Sequence, residues 1–172
     1  MKIYKIALLL AITLSSTSLS AENLVQKEDI HYFGEYHVGY GVTSSVNGHD
    51  TYTGNVMLGT VQGIQYKQYF QLGIGVDGQM LTHYYKNQKL RYGVLGYGDI
   101  RGSYPLTDDF RVTLGGSFGV SYSIEPSGGG TPFYMEIGPG VIYKHLLFKA
   151  GLQKTGSGDG SNHLFVKLGF HF

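Results

Sequence analysis

From residue 31 to the last position, apolar and polar residues alternate with period two, the pattern of β-strands with two unlike faces. Across Phe110–Ile124 the even positions Phe110, Val112, Leu114, Phe118, Val120, Tyr122 and Ile124 share one face. Arg111, Thr113, Gly115, Ser117, Gly119, Ser121 and Ser123 share the other. The pattern predicts eight strands: His31–Ser45, Thr53–Tyr66, Tyr69–His83, Leu90–Tyr104, Phe110–Ile124, Thr131–Lys144, Leu146–Thr155 and Asn162–Phe172. The second keeps the alternation least well, because Gln62 falls among its apolar positions.

The connections alternate in character. Lys67-Gln68, Pro105–Asp109 and His145 are short, whereas Val46–Tyr52, Tyr84–Lys89, Glu125–Gly130 and Gly156–Ser161 are longer and rich in Gly, Ser, Asn or Asp. An even number of strands joined this way predicts an all-β fold, an eight-stranded antiparallel up-and-down barrel. Each strand also meets or exceeds the roughly 9–11 residues that a tilted strand needs to cross a bilayer.

Alternation alone does not say which face is inside, since a soluble ligand-binding barrel would read the same with its faces exchanged. Two features point the apolar face at lipid. Aromatics gather on that face at the short-turn ends of the strands: Tyr32, Tyr66, Phe70, Tyr104, Phe110, Tyr143, Phe148 and Phe172. Rings at one height form an interfacial girdle, with any hydroxyl left wet. The polar face is mostly Gly and Ser, too poor in charge for a solvated exterior and small enough for a narrow lumen.

By parity the inward charges are Glu35, Asp77, Asp99 and Glu136 against Arg101, Arg111, Lys149 and Lys167, with His37, His163 and His171 beside them. Buried charges require partners, so these residues predict a salt-bridge network that plugs the lumen. Solute transport through such a barrel is disfavoured.

The N-terminus has the layout of a secretory signal peptide: basic Met1–Lys5, apolar Ile6–Leu14, and small or polar Ser15–Ala21. Its apolar run is too short to span a bilayer as a helix. Cleavage after Ser20 leaves small residues at Ser18 and Ser20; cleavage after Ala21 would place Leu19 at a less tolerant position. The expected organisation is a signal peptide at 1–20, a short periplasmic segment at 21–30, and a barrel at 31–172. The absence of cysteine leaves neither a lipid-anchored N-terminus nor a disulfide framework. A formal net charge of +1 gives no argument for nucleic acid or a strongly acidic partner.

Leu164, Val166, Leu168, Phe170 and the terminal Phe172 resemble the closing strand of bacterial outer-membrane barrels. The resemblance implies that this strand is the insertion signal read by the barrel-insertion machinery. More widely, residues 31–172 resemble the small eight-stranded proteins of the OmpX and OmpA transmembrane-domain type. Tyr97-Gly98-Asp99-Ile100-Arg101, then Pro105 and Gly115-Gly116-Ser117-Phe118-Gly119, are similar to outer-membrane β-barrel proteins of the Bacteroidota. This implies an integral outer-membrane protein with periplasmic termini and extracellular long loops, in contact with lipid and lipopolysaccharide, with an envelope protein as a further partner. Members of that group include adhesins and accessory subunits of envelope complexes.

Enzymes exist on this scaffold, but the motifs match poorly. Lipid A deacylases carry His-x-Ser with a downstream Glu, and Ser161-Asn162-His163 has the wrong order and spacing. Lipid A palmitoyltransferases carry a loop-borne His, Asp and Ser, for which Ser44, Ser45, His49 and Asp50 are the nearest counterparts. Nucleophilic chemistry needs a base rigidly held beside the hydroxyl, whereas this Gly- and Asn-containing stretch has the composition of a solvated hairpin loop. Glu35 and His37 share a face but suit a lumen hydrogen bond better than a metal site, and no metal or cofactor is expected. Gly128-Gly129-Gly130 lacks the helix and Lys-Ser/Thr of a phosphate loop. Strand glycines such as Gly73, Gly75, Gly96 and Gly98 suit curvature. Three functions are carried forward: a non-enzymatic structural or interaction barrel, favoured; a lipid A-modifying enzyme; and a narrow channel.

Overall fold

The computed structural model describes residues 29–43, 53–83, 91–124, 133–155 and 161–172. They form eight strands: β1 Ile30–Thr43, β2 Thr53–Tyr66, β3 Phe70–His83, β4 Arg91–Pro105, β5 Phe110–Ser123, β6 Phe133–Tyr143, β7 Leu146–Thr155 and β8 Ser161–His171. Each pairs antiparallel with its sequence neighbours, and β1 also pairs with β8 from Glu35↔His171 to Val42↔Leu164, closing the barrel. Full closure removes the unpaired strand edges that an open sheet would expose.

Strand ends differ from the predicted ones by a residue or two where turn geometry intervenes. Lys144 does not extend β6: its φ of 55° is left-handed and turns the chain into β7. Tyr69 likewise belongs to the β2–β3 turn, where Lys67 has a φ of 49°. Both turns and the Leu106–Asp109 connection lie at one end of the barrel, with Ile30 and Phe172. Backbone bonds link neighbouring turns around this mouth: Lys67 N–H donates to Asp29 C=O at 2.6 Å, Ser103 N–H to Tyr69 C=O at 2.8 Å, and His171 N–H to His145 C=O at 2.7 Å. The four longer connections and the N-terminal 28 residues, including the expected signal peptide, lie outside the described residues.

Burial follows parity. In β6 it alternates at nearly every position. Leu58, Ile74 and Leu164 are 70%, 74% and 68% exposed, whereas the polar faces of the same strands are buried inside. In β2, Asn55, Met57 and Val61 are buried on the inner face while Leu58, Ile64 and Tyr66 point outward, and Thr60, of outward parity, is buried beside the Gln62 amide. Gln62 therefore stays on the outer face, opposite Gly34. Its amide is satisfied there, accepting from the Tyr32 hydroxyl and donating to Thr60 Oγ1 at 2.6 Å.

The interior is not lined only with small residues. Phe33, Val61, Leu95, Tyr97 and Tyr134 form a buried apolar cluster, and Phe165 is also enclosed. Gly75 makes room for this filling: a Cβ there would collide with the Tyr97 ring. That glycine thus leaves space for an aromatic side chain, beyond the strand curvature expected of it.

Candidate functional site

Eight charged or chargeable side chains meet in the middle of the lumen, drawn from six strands. Arg101 Nη1 donates to Glu35 Oε2 at 2.8 Å, and Arg101 Nη2 to Asp99 Oδ1 at 3.3 Å. Lys149 Nζ stands 3.9 Å from Asp99 and donates to Glu136 Oε1 at 2.7 Å. Lys167 Nζ lies 2.8 Å from Glu136 and 3.6 Å from Asp77. His37 closes the circuit, 3.2 Å from Asp77 through Nε2 and 3.2 Å from Glu35 through Nδ1. The result is a ring in which carboxylates alternate with bases. With His37 as the imidazolium, four cations balance four anions.

Every member is almost fully buried. Burial removes hydration from each charge, so the ring holds only if each has opposite charge on both sides and its remaining lone pairs are met. Ser117 donates to Asp99 Oδ2 at 2.7 Å, Tyr97 to Asp77 Oδ1 at 2.7 Å, and Tyr134 to Glu136 Oε2 at 2.5 Å. The ring also rests on aromatic faces: Lys167 Nζ is 5.5 Å from the Tyr97 ring centroid and 5.6 Å from that of Phe165, within cation–π range. Charge and aromatic volume together fill the lumen.

Of the eight residues expected in this network, Glu35, Asp77, Asp99, Arg101, Glu136, Lys149 and Lys167 are brought together; Arg111 is not. Arg111 pairs with Pro105 and Ile142 at the turn end of β5. It is half-buried there, and its guanidinium reaches Gln65 Oε1 at 3.4 Å. Parity fixed its inward direction but not its height. The fourth cation position belongs to His37. The aromatic supports Phe33, Tyr97, Tyr134 and Phe165 escaped sequence reasoning, although each has inward parity.

The expected girdle residues Tyr66, Phe70, Tyr104, Tyr143, Phe148 and Phe172 lie exposed around the turn end, while Tyr32 and Phe110 are half-buried. Leu164, Val166, Leu168, Phe170 and Phe172 all point outward from β8 and its end. Ser44, Ser45, His49 and Asp50 lie outside the described residues. Parity separates Asn162, exposed outside, from His163, buried inside. Among the described residues, no group of three or more His, Asp or Glu side chains is placed to hold a metal ion. The hydroxyls beside the ring, those of Ser117, Tyr97 and Tyr134, each donate to one of its carboxylates, and the ring neutralises charge inside a closed wall.

No protein-family model and no curated protein matches the chain. Among solved structures it is similar to that reported as the crystal structure of the outer membrane enzyme PagL, with a TM-score of 0.58 at 11% identity, over 79% of this chain and 98% of that one. At that identity the likeness is one of fold.

Proposed function

We propose that the chain is an integral outer-membrane barrel with a plugged lumen, acting as a structural or interaction protein through its outer loops or lateral contacts. The observation that carries this reading is the inversion of the two faces: bulky apolar side chains such as Ile74 and Leu58 stand exposed outside, and the ion-pair ring is buried inside. Such an exterior suits hydrocarbon, and such an interior suits a filled eight-stranded lumen. In this reading residues 1–20 direct export, 21–30 and the tight turns lie in the periplasm, and the long loops face outward against lipopolysaccharide. The OmpX or OmpA type and an adhesin or complex-accessory role belong to the same proposal. The likeness to an outer-membrane enzyme supports a second reading, a lipid A-modifying activity using Ser44, Ser45, His49 and Asp50. Lipid extracts from overexpressing cells would test it, an altered lipid A favouring the enzyme.

The face assignment is tested by a cysteine scan through residues 110–124 with a membrane-confined relaxation agent and spin labels. Lipid contact should recur at even positions, including Leu114 and Val120, and be absent at Ser117 and Ser121. Arg in place of Leu114, which is 63% exposed, should cost roughly 2–4 kcal/mol if it lies near the midplane. Contact at odd positions, or at none, would replace the membrane reading with that of a soluble ligand-binding barrel.

A further inference from the structure

Three of the ring's cations are permanent and the fourth is not. Arg101, Lys149 and Lys167 keep their charge through the ordinary pH range, whereas an imidazole is charged only while it holds two protons. Against them stand four carboxylates, those of Glu35, Asp77, Asp99 and Glu136. The balance therefore turns on His37.

Geometry sets both nitrogens of that imidazole against anions. Nε2 lies 3.2 Å from each oxygen of Asp77, and Nδ1 lies 3.2 Å from Glu35 Oε1, off the line of a hydrogen bond. A neutral imidazole carries one N–H and one lone pair, so either tautomer would turn a lone pair on a carboxylate oxygen. Only the imidazolium suits both neighbours.

The strands are shaped for this contact. His37 on β1 is paired with Gly59 of β2 on one side and Gly169 of β8 on the other, and Gly59 is paired in turn with Asp77 of β3. A Cβ at Gly59 would overlap the Asp77 carboxylate, which lies across that glycine to reach an imidazole two strands away. The permanent cations stand one step further off, Arg101 beyond Glu35 at 2.8 Å and Lys167 beyond Asp77 at 3.6 Å. His171, opposite Glu35 on β8, is engaged with Gln71 at 2.9 Å.

We propose that His37 is a proton-operated lock that ties β1 to β3 across β2. With both protons it completes the ring; without one it leaves four carboxylates to three cations in the closed lumen, and the barrel loosens. Above about pH 7 the histidines of the unfolded chain have given up their second proton, while the folded chain still holds this one. The folded state then binds one proton more, so stability falls as the pH rises. The lock rests on the ring's own geometry, whatever surrounds the barrel.

The test follows urea unfolding of the full chain, refolded in detergent, between pH 7 and 9, with the side-chain resonances of ¹⁵N-labelled histidine read alongside. Lysine and tyrosine of the unfolded chain titrate above that window. Both His37 nitrogens should be protonated at pH 7.5, and the unfolding constant should rise by up to about tenfold per pH unit, the slope of one proton. Asp77→Asn leaves three anions with three cations and should flatten the slope. His37→Gln should flatten it too, at lower stability. Should His37→Gln fail to fold, combining it with Asp77→Asn restores the balance, and the double variant is expected to fold and to unfold independently of pH. A single protonated nitrogen on His37 at pH 7.5, or an unfolding constant of the parent that ignores pH, would overturn the lock. So would the parent's slope persisting in the folded variants.

Discussion

His37 and Arg101 hold neighbouring places in the ring, with Glu35 between them. Deleting either leaves carboxylates facing one another in a buried ring with one cation fewer. Arg101→Met, close in volume but neutral, leaves Glu35 with His37 alone and Asp99 with Ser117 and a lysine 3.9 Å away. Breaking a buried pair in this way costs roughly 3–5 kcal/mol. Arg111→Ala, by contrast, removes a half-buried side chain with one long hydrogen bond and should cost less than about 1 kcal/mol. Urea unfolding of the two variants in lipid vesicles checks the contrast. Equal losses would place Arg111 in the ring after all, where parity alone had located it.

Direction was legible at the level of the strand, because a period of two assigns every side chain to one of two faces whatever surrounds it. Height and partnership were not. Glu35 and Arg101 are 66 residues apart in sequence, and their contact depends on barrel closure and stagger, which no single strand encodes. The same limit hid the aromatic filling: parity turns Tyr97 and Tyr134 inward but says nothing of their rings packing 5.5 Å apart or of their hydroxyls serving the ring's carboxylates. The glycines divide accordingly. An alanine at position 75 would drive its Cβ into the Tyr97 ring and should destabilise the barrel by roughly 1–3 kcal/mol. Gly96 lies on the outer face, and a Cβ added there would have nothing within 4 Å, so Gly96→Ala should be neutral or stabilise by up to about 1 kcal/mol. Thermal or urea unfolding of the pair measures the difference. Similar behaviour of both would mean that curvature, common to the two positions, outweighs the space that Tyr97 needs.

At the scale of the whole molecule, closure rests on the seam between β1 and β8, and Phe172 fastens its turn end. Gly34 and Phe172 exchange backbone hydrogen bonds at 2.8 and 2.9 Å, and the terminal ring stacks on Tyr36 with centroids 5.7 Å apart. The ring lies directly over Gly34, where a Cβ would collide with it. In the proposed outer-membrane reading the same residue is also the export address, so its removal would combine two effects that a cellular assay alone would merge. Deleting Phe172, or replacing it with Asp, should abolish outer-membrane accumulation in cells. Refolding purified protein into detergent separates the causes. If the seam needs the residue, the deletion should also refold with lower yield and unfold at lower urea, because two hydrogen bonds and the packing on Tyr36 are lost. Phe172→Leu retains the backbone bonds and an apolar outer face but loses the stacked ring, so it should refold nearly as the parent does while its export in cells falls. Normal outer-membrane yield of the deletion would remove the terminal residue from both roles and leave the seam to the ladder from Glu35 to Val42.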